Sequence, residues 1–281
     1  MSETVAFIVH GGRQDAMEAA RETASRLEES GLSVGVVVFT DGAEDQASLE
    51  LAALSPSLIV SLGGDGTFLR AAKRAHELDV PILGVNFGRV GYLLDVPPTE
   101  LDGVIRRALE GHVVVEERLG LAISVREGPL VHETIFAVNE VSVEKTVPGH
   151  VVRLAAGIDG EPFMHFSADG VLIASPMGST AYNLSAGGPV LSPDLDGFVM
   201  TPVAPHFVID RSVVLSGDQV VSLDVVGERP AVCVVDGVSI ATLTPGDRVE
   251  CRREPRRLHV VTLAEPGLGR RLRESLRQGH E

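Results

Sequence analysis

Residues 58–77 read LIVSLGGDGTFLRAAKRAHE. Leu58–Ser61 is a short apolar run of strand character, and Thr67–Glu77 is a helical stretch. Gly63-Gly64-Asp65-Gly66-Thr67 joins them. A glycine-rich strand-to-helix turn offers bare backbone N–H groups at the positive end of a helix, where phosphate binds well. The turn fits neither GxxxxGK[ST] nor GxGxxG. Asp65 is the informative residue. A carboxylate repels phosphate, so a loop that only gripped phosphate would exclude it. It suits proton abstraction from an attacking hydroxyl, or a share in holding a divalent metal. The competing reading is an Asp chosen for the turn or as the helix N-cap, with Thr67 as the other cap candidate. Residue chemistry alone leaves both open.

Outward from this turn, the first hundred residues alternate between strand and helix. Val5–Val9 is an apolar run ending in His10-Gly11-Gly12. The stretch Asp15–Ser30 puts Met17, Ala20, Ala24 and Leu27 on one helix face and stops at Gly31. Val34–Phe39 and Ile82–Val85 read as strands, and Ser48–Leu54 as a short helix ahead of Pro56. Thr99–Glu110 reads as a helix with Thr99 as N-cap and Gly111 after its end. Such alternation predicts a parallel α/β sheet with its ligand crevice at the strand C-termini.

Beyond residue 116 the rhythm changes. Leu119–Val125, Thr134–Val143, Val151–Asp159, Val171–Ala174, Val213–Leu215, Val220–Val225, Ala231–Val235, Arg248–Arg252 and Leu258–Leu263 read as strands with little helix between them. This predicts an all-β domain, a sandwich or layered sheet. Its one long interruption, Pro176–His206, is rich in Gly, Ser and Pro, which in a compact domain points to function. Gly269–Gln278 reads as a helix. The expected organisation is an α/β nucleotide-binding domain over 1–115, an all-β domain over 116–257, and a C-terminal segment over 258–281.

Length and charge narrow the classes. The 281 residues leave room for two domains. The formal net charge of −15 argues against broad nucleic-acid or anionic-membrane binding. Residues 252–281 carry eight arginines against four glutamates, so the remainder holds 16 basic and 35 acidic groups. That tail is either a solvated end or a phosphate or subunit contact. The longest apolar runs are too short to span a bilayer, and no basic region precedes the first one, so neither membrane nor secretion is expected. Cys233 and Cys251 have no metal-site spacing and suit free thiols in a cytoplasmic protein.

Two further signals carry chemistry. Asp169-Gly170 is followed by SPMGSTAYNLSAGGP over 175–189. Its hydroxyls, amides and glycines can surround a polar ligand, and Tyr182 can stack on a base. The competing reading is a polar surface loop, with Ala181, Leu184 and Ala186 as packing residues. No GxSxG elbow is present. Asn139-Glu140 interrupts a run that otherwise alternates. The adjacent amide and carboxylate can address a ribose or a base edge, or mark a solvent-facing strand end. His10, His150 and His206 are each more often structural imidazoles than ligands.

These segments, in this order, resemble the NAD kinase family. The resemblance rests on GGDGT at Gly63, GVNFGRVGYL at Gly84, NEVSVEK at Asn139, DGVLIASPMGSTAYNLSAGGPV at Asp169 and TPVAPH at Thr201. GGDGT is shared with phosphofructokinases and with the diacylglycerol and sphingosine kinases. Its pairing with GSTAYxLSAGGP is not shared with the lipid kinases. The resemblance implies phosphorylation of the adenosine-ribose 2′-hydroxyl of NAD by ATP or another nucleoside triphosphate, or by polyphosphate, with a divalent cation such as Mg²⁺. It also implies that the segment 258–281 returns to the first domain and that the chain forms a homo-oligomer, a dimer or tetramer. By resemblance Asp65 is the catalytic base, with Gly66 beside it at the ribose and Arg70 on the diphosphate or ribose. Gly63, Gly64, Gly66 and Thr67 face the donor phosphates. Asn139 and Glu140 grip NAD, His150 supplies an imidazole contact, and Asp169 reads the nicotinamide end, or that of a second NAD shared across subunits. Thr180, Ala181, Tyr182, Asn183, Leu184 and Ser185 form the pocket wall, with Ala204 opposite. Three positions depart from the family: Ser167 in place of arginine, Val238 in place of glutamine, and Met177 in place of threonine. The alternatives are a lipid or sugar kinase sharing GGDGT, and a catalytically silent NAD-binding sensor.

Overall fold

The computed structural model describes residues 3–40, 44–87, 94, 96–206 and 210–262. The chain divides into two units, Met1–Glu117 with Leu258–Glu281, and Arg118–Arg257.

The first unit follows strand–helix alternation: β1 (Thr4–His10), α1 (Gln14–Glu29), β2 (Ser33–Phe39), α2 (Glu44–Leu54), β3 (Leu58–Gly63), α3 (Asp65–Leu78), β4 (Ile82–Asn86) and α4 (Leu101–Leu109). β1 and β3 are buried almost throughout, as strands covered on both faces must be. β1 pairs in parallel with β2 and β3, and β3 with β4. The sheet is completed by β19 (Leu258–Thr262) beside β4 and by β5 (Val114–Arg118) at the edge, giving the order β2-β1-β3-β4-β19-β5. Of the expected 258–281 segment, Leu258–Thr262 thus lies in the first sheet, with Val260 opposite Ile82, and the rest is outside the described residues.

Two helix starts differ from the sequence reading. α3 begins at Asp65 rather than Thr67, and its N-cap is Gly64, with no side-chain capping bond. Thr99 is not an N-cap either. It lies in a 3₁₀ turn, Pro98–Glu100, that leads into α4. Proline at the first position of that turn presets its φ and accounts for the earlier start.

The second unit is a sandwich. Its strands are β6 (Leu121–Glu127), β7 (Leu130–Val131), β8 (Ile135–Ala137), β9 (Glu140–Lys145), β10 (Val152–Ile158), β11 (Glu161–Ala168), β12 (Gly170–Ala174), β13 (Gly197–Val203), β14 (Val213–Ser216), β15 (Val220–Val225), β16 (Ala231–Val235), β17 (Val238–Leu243) and β18 (Arg248–Arg253). One sheet runs β11-β10-β15-β18-β6-β7, with β8 also on β6, and the other runs β14-β13-β12-β9-β16-β17. A shared core holds Leu121, Ile123, Leu154, Leu223 and Val249 from the first sheet with Val143, Ile173, Phe198 and Cys233 from the second. Burying each large side chain there contributes about 1.5–3 kcal/mol.

β12 shows how the period of two positions the site. Val171 and Ile173 point into the shared core, while Leu172 and Ala174 point to the opposite face. On that outer face they form a second cluster with Leu191 and Val199, and Tyr182, Ala186 and Val203 pack against it. The segment expected as one long interruption, Pro176–His206, therefore contains a 3₁₀ turn (Gly178–Thr180), the short helix α5 (Tyr182–Ser185) and the central strand β13. The expected single strand Thr134–Val143 is two strands, β8 and β9, broken at Val138-Asn139. The helix expected over Gly269–Gln278 and residues 88–93 of the GVNFGRVGYL stretch lie outside the described residues.

Candidate active site

In the first unit, the turn after β3 presents Gly64, Asp65 and Gly66 at the start of a fourteen-residue helix. The earliest helical hydrogen bonds are those of Thr67 N–H and Phe68 N–H to the Gly64 carbonyl, at 3.0 and 3.1 Å. The three N–H groups before them precede the helical ladder, at the positive end of its dipole. The glycines differ in purpose. A Cβ on Gly63 would overlap the Thr67 side chain, so that glycine is demanded by packing. A Cβ on Gly64 or Gly66 would meet nothing within 4 Å, so those two positions face open space. Asp65 is half-buried at the first helical position. Gly64, which has no side chain, holds the cap position, so Asp65 is not the N-cap of this helix. Arg70 lies on the same helix five residues on, roughly 7.5 Å along the axis.

In the second unit, Asn139 and Glu140 sit at the break before β9, both buried. The Asp236 carboxylate accepts the backbone N–H groups of Val138, Asn139 and Glu140 at 2.9, 2.8 and 3.1 Å. Asn139 Oδ1 and Glu140 Oε2 are buried and find no hydrogen-bond partner among the described residues. Burial pushes the Glu140 carboxyl up to about 7, helped by the negative charges of Asp236 and Glu144, while the Tyr182 backbone N–H pulls the other way. The Tyr182 phenol is likewise raised, first by burial and then by Glu144, Asp169 and Glu140. These groups therefore share one electrostatic neighbourhood.

The strand register sets its length. Ala174 lies opposite Glu140, and Gly170 lies opposite Glu144. The stretch from Glu140 to Glu144 covers roughly 13 Å along β9. At the far end Asp169 pairs with Lys145 Nζ at 2.6 Å, and its N–H donates to the Val203 carbonyl at 2.9 Å. Ala204 follows with φ +45, a left-handed alanine. Such a conformation costs about 1–2 kcal/mol and is held in place by its surroundings. Lys145 also lines a cleft of about 210 Å³ with His150 and Arg229, which places His150 beside the Asp169 end.

The 175–189 segment is largely self-bonded. Asn183 is fully buried. Its Nδ2 donates to the Ser179 and Pro189 carbonyls at 3.0 and 2.9 Å, and its Oδ1 accepts from Thr201 Oγ1 at 2.7 Å. Ser179 Oγ donates to the Pro176 carbonyl at 2.7 Å and accepts from Leu191 N–H at 3.0 Å. Thr180 Oγ1 donates to the Met177 carbonyl at 3.1 Å. Tyr182 and Ala181 are half-buried at the start of α5, with Leu184 and Ser185 completing it. Ser167 is an edge-strand residue whose carbonyl accepts the His206 N–H at 2.8 Å, and Val238 is exposed.

Sequence reading missed Asp236, and it took Ser175 only as part of the 175–189 segment, not as a partner of the 138–140 backbone. The only signal at the first was an Asp-Gly pair between two apolar runs, which reads as a turn. Among the described residues no three His, Cys, Asp or Glu side chains are grouped to hold a metal ion. Magnesium that arrives with phosphates needs only one or two carboxylates from the protein, and Asp65 at the glycine-rich turn fits that demand.

An α/β unit with open glycines at a helix N-terminus, joined in one chain to a sandwich with an elongated polar site, defines a nucleotide-binding protein of the phosphotransferase kind. Residues 5–113 match the ATP-NAD kinase N-terminal domain, and residues 138–263 match the ATP-NAD kinase C-terminal domain. The NAD kinase of Cutibacterium acnes is 36% identical over 275 residues, covering 94% of this chain and 86% of that one. The NAD kinase of Heliobacterium modesticaldum is 35% identical over 284 residues, covering 98% and 99%. An NAD kinase from Archaeoglobus fulgidus, solved in complex with ATP, superposes with a TM-score of 0.73 at 26% identity over 98% of both chains. A yeast NADH kinase complexed with NADH shares the fold, with a TM-score of 0.86 at 24% identity over 100% of this chain and 89% of that one. The chain belongs to the ATP-NAD kinase family.

Proposed function

We propose that this chain phosphorylates NAD to NADP at the adenosine-ribose 2′-hydroxyl, with ATP as donor and Asp65 as general base. Family membership makes it a kinase acting on NAD and decides against a lipid or sugar kinase. The observation that carries the mechanism is a carboxylate at the first position of α3, between two glycines that face open space, where it is not the N-cap.

In the reaction the 2′-hydroxyl oxygen attacks the γ-phosphorus. The new O–P bond forms as the bond to the β,γ-bridging oxygen breaks, ADP leaves, and the hydroxyl proton passes to the Asp65 carboxylate. A ribose hydroxyl is a poor nucleophile at neutral pH, so a carboxylate within reach of it accelerates the step. The N–H groups of Gly64 and Gly66 suit the donor phosphates. Mg²⁺ bound with ATP would screen those phosphates from Asp65.

The acceptor is assigned to the second unit. Asn139 and Glu140 hold the ribose or base through their buried side-chain oxygens, Tyr182 supplies an aromatic wall, and Asp169 binds the nicotinamide end. Ala204 and His150 complete that end. Thr180, Ala181, Leu184 and Ser185 line the wall around Tyr182, and Asn183 braces it from within. The ATP complex of the archaeal relative supports ATP over polyphosphate. Homo-oligomerisation belongs to the same reading, and sedimentation checks it. So does a cytoplasmic setting, with which the free thiols of Cys233 and Cys251 agree. No helix among the described residues is long and apolar enough to cross a membrane.

Turnover tests the whole reading. Protein, NAD, ATP and Mg²⁺ are combined, and NADP is detected with an NADP-specific dehydrogenase. NADP formation is the expected result. NAD binding without NADP formation would instead identify a silent sensor.

A further inference from the structure

Val138 and Asn139 interrupt the strand run between β8 and β9 and Glu140 opens β9, yet all six backbone polar groups of residues 138–140 are bonded. Their three N–H groups go to the Asp236 carboxylate, Val138 to Oδ2 and both Asn139 and Glu140 to Oδ1. The Glu140 carbonyl accepts the Asp236 N–H at 3.0 Å. Ser175 takes the other two carbonyls. Its hydroxyl donates to Val138 O at 2.6 Å, and its N–H donates to Asn139 O at 2.8 Å. Two residues far along the chain therefore satisfy the whole segment. Asp236 does so from a left-handed backbone, φ +47, at the turn between β16 and β17.

The side chains present the opposite picture. Asn139 Oδ1 and Glu140 Oε2 are buried and unbonded among the described residues. A buried acceptor with no partner costs about 1–3 kcal/mol. A fold that bonds every main-chain group here and leaves two side-chain oxygens unbonded has fixed the frame and reserved those oxygens for a ligand.

We infer that Asp236 is a positioning residue for NAD. Together with Ser175 it locks the 138–140 backbone, so that Asn139 and Glu140 meet the ribose or base in a set geometry. It acts through the main chain. This inference rests on the proposed NAD kinase function.

Two substitutions separate positioning from general stability. Asp236→Ala removes all three acceptor contacts. Asp236→Asn, with its amide oxygen at the Oδ1 place, keeps the bonds from Asn139 and Glu140 and turns a donor toward the Val138 N–H. Steady-state KM for NAD and for ATP, kcat and Tm are measured for both. KM for NAD should rise by about ten- to a hundred-fold in Asp236→Ala and by less in Asp236→Asn. KM for ATP should stay within about twofold in both. In an Asn139→Ala, Glu140→Ala background, Asp236→Asn should add less than about twofold to KM for NAD, because it acts through those side chains.

A folded variant with wild-type KM for NAD would overturn the inference. So would an undiminished effect in the double-alanine background. Loss of fold in both variants would make Asp236 a folding residue and overturn it too. Wild-type protein that forms no NADP would instead overturn the function on which the inference stands.

Discussion

Gly178 lies against the backbone of Asn139. A Cβ on Gly178 would overlap the Asn139 carbonyl and come within 2.7 Å of its Cα. Gly178 N–H also donates to Ser175 Oγ at 3.1 Å, and that hydroxyl in turn donates to the Val138 carbonyl. The turn that opens GSTAY and the break at Asn139-Glu140 thus pack against each other.

Gly178→Ala should therefore damage both. The obstructing atoms are main chain already held by hydrogen bonds, so they cannot swing aside. Overpacking of this kind costs about 1–3 kcal/mol. A lower denaturation midpoint together with a raised KM for NAD is expected. A substitution that lowers stability and leaves KM unchanged would show that the contact is only packing.

Glu140 makes stability pH-dependent. Its carboxyl has an ordinary value of 4.5 and is pushed up to about 7 in the folded chain, mainly by burial. The native state therefore holds a proton that the unfolded state has already released. This contribution is fully present below pH 4.5 and is lost as pH rises through about 7. The loss is of order a few kcal/mol. Glu140→Gln should remove the decline, so that the difference between mutant and wild-type midpoints grows from pH 4.5 to 7 and then levels. Parallel pH profiles for the two proteins would contradict the assignment.

Asn183→Ala should act on the scaffold. It strands the buried Ser179 carbonyl and the partly buried Pro189 carbonyl, and it removes one of the two acceptors beside the Thr201 hydroxyl, Ser212 Oγ being the other. A loss of about 2–4 kcal/mol in denaturant unfolding is expected. A midpoint within error of wild type would mean that water or a neighbour replaces all three bonds.

The α/β unit was legible because its strands are uninterrupted apolar runs and its helices stop at signalled places. Gly31 and Gly111 both adopt the left-handed backbone that their position after a helix predicts. In the sandwich the legible strands were those with a buried face. β11 and β17 are edge strands with much exposed surface, so neither carries a clear alternation. β13 is buried on both faces but contains Pro202, which argues against a central strand. GGDGT and the Asn139-Glu140 pair could be read from residue types. What frames that pair could not, since Asp236 stands 97 residues from Asn139 and the bonds go to main chain, which leaves no trace in side-chain spacing. The start of α3 was misplaced for a related reason. Gly64 caps the helix without a side chain, where Ser, Thr or Asp was sought.

Asp65 carries the central claim, and one substitution tests it most directly. Asp65→Asn keeps the shape of the side chain and removes the base. NADP formation is followed with an NADP-specific dehydrogenase at saturating NAD, ATP and Mg²⁺, and NAD binding is measured in parallel. Loss of a general base is worth on the order of 10²–10⁴ in rate, or about 3–5 kcal/mol of barrier. The account predicts a folded variant that binds NAD within roughly tenfold of wild type and turns over about 10²–10⁴ times more slowly. A variant that keeps more than about a tenth of wild-type turnover would contradict it, since that is well short of a base's contribution.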